Sequence, residues 1–325
     1  MKVKTFIELL RPFTLLPPLL GILSGSACAW GSSHNPYLKF TLSLFFTLLV
    51  GSFCASLLNG ASNIINQVYD LEIDKINKPN RPLPRGEVSE KKAKIISYIF
   101  YILSIVPVWW ITPPPYDESF IKRTLAPIPY HATFFIFVLG MVLTFIYSSP
   151  KYGRTKKYGF LANLTIALAR GELLKVAGWA MVSNVLILEP WYLGFIFFLF
   201  LLGATSTKDF SDIEGDRKFG CMTLPVKYGA VKAARMITPF FIIPWLLIPS
   251  GIFIKTFNGE SILTGNAALL LILSFILTLW GIYTAGLVLK DPNSLTQTEN
   301  HPSWRHMYLM MMFAQIGFAA AYIIK

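Results

Sequence analysis

Nine apolar stretches, near 13–31, 41–65, 95–112, 128–148, 160–181, 186–204, 237–254, 266–289 and 307–324, alternate with short polar segments along the chain. Most approach the roughly 20 residues that a helix needs to cross bilayer hydrocarbon. The pattern therefore predicts nine membrane-spanning helices and an all-α integral membrane protein. Nothing marks off a soluble unit, so residues 1–325 read as a single transmembrane domain. The first stretch is too long for a removable signal peptide, and another span follows it without a convincing cleavage site. Between Thr112 and Arg123 a polar run opens with Pro113, Pro114 and Pro115 and is read as a loop, because proline resists regular helix.

Composition narrows the class further. Hydrophobic residues make up 54% of the chain, with 26 Phe, and mean hydropathy is +0.54. Only 14% of residues are charged, against about 25% in an ordinary soluble domain. With the N-terminus on the cytoplasmic side of a cell membrane, 22 of the 29 basic residues fall on that side, mainly in segments 75–94, 151–157 and 208–235. That asymmetry follows the positive-inside rule and puts the C-terminus outside. The net charge of +12 then reflects topology and attraction to anionic membrane lipids. No nucleic-acid partner is expected, since the basic residues are divided among short loops and no nucleic-acid motif accompanies them. Cys28, Cys54 and Cys221 have neither a disulfide framework nor a zinc spacing. His34, His131, His301 and His306 form no metal spacing either, and His131 is expected to be structural, at a helix end.

Two acidic segments break the apolar pattern, each flanked by basic residues. Carboxylates beside long apolar runs are costly unless they line a polar cavity, hold a cation or reach water. In the first, Asn66, Asp70 and Asp74 follow one another at four-residue steps. On an α-helix such neighbours lie about 6 Å apart and turn by only about 40° per step, so their oxygens converge. One neutral and two charged oxygens make an incomplete shell for Mg²⁺, which commonly completes its coordination with water and phosphate oxygens. Lys75, Lys78, Arg81 and Arg85 follow, and the arginines could fork onto phosphate. The competing reading is a solvated helix end and a basic loop. In the second segment Asp209, Asp212 and Asp216 repeat the four-residue step at their last pair. Lys208, Arg217 and Lys218 surround them, while Gly215 and Gly220 could permit a turn as the helix ends. Two facing clusters could hold Mg²⁺ against a diphosphate. The twelve-residue calcium loop ending in Glu is absent.

The runs from Asn66 through Asp74 to Arg81 and Arg85, and from Lys208 through Asp212 to Asp216, together closely resemble the UbiA superfamily of intramembrane prenyltransferases. The resemblance spans essentially the whole chain, including Arg11-Pro12 and Tyr147-Ser148-Ser149-Pro150. It implies a nine-helix prenyltransferase bundle with Mg²⁺ as cofactor. It also implies metal and catalytic roles for Asn66, Asp70, Asp74, Asp212 and Asp216, with Asp209 a further metal ligand. Substrate contacts are implied for Arg81, Arg85, Tyr147, Arg154, Lys156, Asn163, Arg170 and Lys208. The loop departs from the family's Tyr-Ser-x-Pro-Pro pattern at Lys151, leaving open whether Arg154, Lys156 or both face diphosphate.

The expected activity is Mg²⁺-dependent transfer of a polyprenyl group from polyprenyl diphosphate to a hydrophobic, aromatic acceptor, with release of diphosphate and membrane lipid around the apolar tail. The opening Arg11-Pro-Phe-Thr-Leu-Leu-Pro17-Pro18 and the second acidic segment resemble branches acting on chlorophyllide or homogentisate-like rings. The same signatures also resemble archaeal digeranylgeranylglyceryl phosphate synthases, which makes ether-lipid synthesis the enzymatic alternative. A transporter with a charged cavity and a prenyl-diphosphate cyclase are the remaining readings.

Overall fold

The computed structural model describes residues 2–35, 39–298 and 301–324. Among the described residues, eight helices are long and apolar enough to cross a bilayer: Pro12–Gly31, Leu42–Tyr69, Glu90–Trp110, Ile128–Ser148, Leu188–Lys208, Ala230–Phe253, Ala267–Lys290 and Pro302–Ile323. A ninth helical segment lies between the fourth and fifth of these, built from Phe160–Ala167, Leu168–Glu172 and Leu173–Ala180. Its middle piece is a π-helical turn carrying Arg170 and Glu172, so charge and irregular hydrogen bonding interrupt it together. The protein is thus an all-helical, multi-pass membrane protein. Residue 325, the reference point for the expected exterior C-terminus, lies outside the described residues.

The helix starts follow from local chemistry. Thr41, Ser89 and Asn266 each accept a backbone N–H from the first turn of the helix that follows, which satisfies donors that a helix end otherwise leaves open. Ala230–Phe253 begins earlier than the stretch from 237 predicts. Its first turns, Ala230–Ile237, are amphipathic, burying Ala233, Ala234 and Ile237 while Lys232 faces out. A short helix, Phe120–Thr124, also forms within the run read as a loop, capped by Ser119.

In lipid the apolar effect does not draw helices together, so small residues and close packing carry association. The first span and the interrupted segment approach to backbone contact. A Cβ on Gly25 would lie 2.4 Å from the Lys175 carbonyl oxygen, and one on Gly178 would lie 2.3 Å from that of Ile22. Ser26 Oγ donates to the Gly178 carbonyl at 2.8 Å in the same seam. Large apolar side chains such as Phe45, Phe53, Leu103 and Phe275 point outward, as expected of a lipid-facing surface. Two buried polar side chains away from the acidic segments are tied off. Glu189, 1% exposed, accepts from Ser32, Thr264 and Tyr322, joining helix ends from four parts of the chain. His131 is fully buried between the carbonyls of Trp109 and Ala126. The three cysteines are free and buried.

Candidate active site

Both acidic segments, the 151–157 loop and the junction before the first span meet at one end of the bundle, around a cavity of about 240 Å³. Asn66 ends up on the long helix Leu42–Tyr69, Asp70 at a break in it, and Asp74 on the short helix Leu71–Asn77. One continuous helix was expected here, yet its register survives the break: Asp70 N–H donates to Asn66 O (2.9 Å) and Asp74 N–H to Asp70 O (2.7 Å). The second segment builds the same form. Asp212 precedes the helix Ile213–Lys218, and Asp216 lies within it. Gly215 does not make a turn; it is buried inside that helix, and only Gly220 has positive φ, at 69°.

Asn66, Asp70, Asp74, Asp209, Asp212 and Asp216 all line the cavity, as do Arg81, Tyr147, Lys156, Arg170 and Lys208. Asp70 receives Arg154 at 2.8 Å and Lys156 at 2.5 Å. Asp74 pairs with Arg81 at 2.6 Å, and Asp212 with Lys78 at 2.7 Å. Lys156 also lies 4.0 Å from Asp216, so one ammonium bridges the two segments. Ser148 donates to Asn66 Oδ1 at 3.1 Å. Asp216 Oδ1 is buried without a hydrogen-bond partner.

The charges respond to this crowding. Burial first, then Asp212, Asp70 and Asp74, push Asp216 up to about 7 against the pull of Lys156. Burial and the same kind of carboxylate crowding raise Asp209 well above the usual range, and burial raises Asp74 despite Arg81. Lys156 is held above its ordinary value because Asp70 and Asp216 outweigh its own burial.

Three expected site residues lie away from the cavity lining. Arg85 pairs with Glu8 at 2.5 Å and Glu87 at 2.9 Å, fastening the amphipathic helix Val3–Leu10. Arg154 reaches Asp70 from behind, and also donates to Tyr69 O at 3.1 Å. Asn163 donates to Leu202 O (3.0 Å) and Ser206 Oγ (2.6 Å), bracing the approach to the second acidic segment. The two charges inside an apolar run diverge. Arg170 faces the cavity and donates weakly to Asn63 Oδ1 at 3.4 Å, whereas Lys175 is buried with its Nζ on Ser24 Oγ at 2.5 Å and over the Phe197 ring.

Arg11, Asn77, Lys78, Trp304 and Tyr308 also line the cavity. Arg11 and Arg154 are the non-glycine residues with positive φ among those described, at 56° and 44°. A left-handed backbone costs such residues of order 1 kcal/mol or more and concentrates at functional sites. Burial, then Arg81 and Arg170, lower Arg11 to about 10, which leaves it cationic at neutral pH. Its position just before Pro12 is the one signal the sequence offered.

The donor set fits a hard dication: carboxylate and amide oxygens surround a buried, orphaned acceptor, with no sulfur or imidazole among them. Among the described residues, no three acidic, histidine or cysteine groups form a ready-made cage. Such an ion would therefore need oxygens from a substrate. Apolar Leu143, Ile166, Leu174 and Met311 line other parts of the same cavity, which suits a molecule with an anionic head and an apolar body.

The model of the UbiA prenyltransferase family matches residues 18–116 and 124–290. The chain belongs to this family. It is 29% identical over 314 residues to a digeranylgeranylglyceryl phosphate synthase of Methanosphaera stadtmanae, covering 97% of each chain. A protein of the same name from Methanocaldococcus jannaschii is 30% identical over 298 residues, with 92% of this chain and 90% of that one aligned. The UbiA fold itself recurs in the solved structure of a UbiA homolog from Archaeoglobus fulgidus bound to GPP and Mg²⁺. That chain is 18% identical with a TM-score of 0.64, over 97% of this chain and 99% of the other.

Proposed function

We propose that this UbiA-family enzyme transfers a polyprenyl group from polyprenyl diphosphate to a lipid acceptor bearing a phosphate, the reaction type of digeranylgeranylglyceryl phosphate synthases. This replaces the aromatic acceptor expected from the sequence. The carrying observation is a set of three cations. Arg11, Arg170 and Lys208 line the cavity, and among the described residues no carboxylate lies within ion-pair distance of any of them, whereas Lys156, Arg81 and Lys78 are each paired with an acidic-segment aspartate. Lys208 instead sits 4.3 Å from the centre of the Trp304 ring. Cations confined in a partly buried cavity favour an anionic ligand, and a phosphate monoester, with its greater charge and three acceptor oxygens, meets three cations more fully than the single carboxylate of an aromatic acid. The names of the near-full-length relatives support the same reading.

Asn66, Asp70, Asp74, Asp209, Asp212 and Asp216 are the proposed Mg²⁺ ligands. When bound, Mg²⁺ would neutralise diphosphate as it leaves. Lys156 and Arg81 then turn from the carboxylates they now hold to phosphate oxygens, with Tyr147 beside them, while Arg154 keeps its hold on Asp70 from behind. In this reading Asn163 acts through the second segment rather than by contact, and Arg85 through the N-terminal helix. Leu143, Ile166 and Leu174 keep water from the reacting carbon. The whole chain forms one catalytic unit, with the acidic end cytoplasmic in the cell membrane; the concentration of basic residues at that end supports the orientation, and cysteine labelling from each side tests it.

The function is tested by mass spectrometry of purified protein in vesicles, given a polyprenyl diphosphate with a prenylated glycerol phosphate, its dephosphorylated form, or an aromatic acid. The phosphate-bearing lipid should be prenylated, with diphosphate released. Prenylation of the aromatic acid alone would restore the aromatic reading. Flux without diphosphate release would indicate transport, and a cyclised hydrocarbon a cyclase.

A further inference from the structure

Asn77 is an uncharged side chain placed between the two acidic helices. Its Oδ1 accepts the Gly215 N–H at 2.9 Å, and its Nδ2 donates to the Asp212 carbonyl at 3.0 Å. Gly215 is the third residue of Ile213–Lys218, where a helix has an unsatisfied N–H that the preceding side chain commonly caps. Here the preceding side chain is Asp212, and it makes no such bond. It pairs with Lys78 and accepts from Ser211 Oγ at 3.1 Å instead. The contact has no spare room: a Cβ on Gly215 would lie 2.5 Å from Asn77 Oδ1 and 2.7 Å from its Cγ.

We propose that Asn77 is a positioning residue that caps the second acidic helix from the first, keeps the Asp212 carboxylate off its own helix end and facing the cavity, and fixes the spacing of the two clusters. An amide suits the role because it donates and accepts at once. An aspartate at this place would set a carboxylate oxygen against the Asp212 carbonyl. A glycine at 215 is the matching half of the device. Lys78, the next residue, reaches the same aspartate's side chain, so neighbouring residues of one helix hold both the backbone and the carboxylate of Asp212.

The inference rests on the proposed binding of Mg²⁺ and diphosphate by both clusters, and the test separates the two. The Mg²⁺ concentration that half-saturates binding of inorganic diphosphate is measured by calorimetry on full-length protein in lipid, beside the thermal unfolding midpoint. Asn77→Ala and Gly215→Ala should each raise that concentration about tenfold or more, the usual cost of losing a group that orients a metal ligand. Asn77→Ser, which keeps a polar group too short to span the gap, should do the same and serves if either alanine variant fails to fold. In an Asp212→Asn background the Asn77 substitutions should add little. Unchanged half-saturation with only a lowered unfolding midpoint would overturn the proposal. No Mg²⁺-dependent binding in the unsubstituted protein would instead remove the reading beneath it, and the clamp's role with it.

Discussion

Asp70 and Asp212 occupy equivalent places in two short helices more than a hundred residues apart. Their backbone angles are −99°, 10° and −106°, 6°, and each is followed four residues later by a second aspartate. The resemblance ends at the side chains. Asp70 holds two cations and Asp74 a third, so the first cluster is neutralised by the chain itself. In the second, Lys78 serves Asp212, but among the described residues Asp216 has only the distant Lys156 and an orphaned oxygen. One local fold is thus held in two electrostatic states. The second cluster has more to gain from an arriving dication, and the first has cations to release toward phosphate.

Removing Mg²⁺ with a chelator should have the largest effect, abolishing turnover until Mg²⁺ is restored, as followed by diphosphate release; full turnover in chelator would mean that neither cluster works through a metal. Asp70→Asn and Asp212→Asn come next. Each should lower turnover about a hundredfold or more through lost electrostatic stabilisation, in protein whose helical circular dichroism is unchanged. Lys156→Met should follow, because among the described residues this ammonium alone lies within 4.0 Å of a carboxylate in each cluster. A loss of about tenfold or more is expected, larger than for Arg154→Met, which serves only the first cluster; equal losses would deny Lys156 its bridging role.

Smaller effects probe the periphery. Arg11→Gln should raise the KM for a phosphate-bearing acceptor about tenfold, the scale of one charge-assisted hydrogen bond, and leave donor KM nearly unchanged. A rise in donor KM alone would assign Arg11 to diphosphate. Arg85→Ala should change turnover least, within about twofold, since exposed ion pairs such as those with Glu8 and Glu87 contribute little. A large rise in donor KM would return Arg85 to the phosphate site.

Much of this was legible in the chain. Apolar length marked the spans, and four-residue spacing marked Asn66, Asp70 and Asp74 as neighbours, because both properties are local. The partners were not local. Arg85 and Asp74 sit in one motif, but whether Arg85 turns to phosphate or to Glu8 depends on where the N-terminal helix packs, 77 residues earlier in sequence. Asn77 was visible only as one residue of a basic turn, since its role needs Gly215 brought against it from the second segment. Asn163 likewise gained its meaning from Ser206. Arg170 and Lys175 stand in one apolar run and look alike in sequence, yet Arg170 meets the cavity while Lys175 meets a serine and two aromatic rings.

A single Mg²⁺-diphosphate site formed by the two clusters unites the roles proposed above. Its most direct test is a double-mutant cycle on Mg²⁺-dependent binding of a polyprenyl diphosphate, using folded Asp70→Asn, Asp212→Asn and the double variant in lipid. Each single substitution is expected to abolish most of the Mg²⁺-dependent binding, and the double variant to bind no more weakly than either. Independent, additive losses, or normal Mg²⁺-supported binding in both single variants, would contradict it.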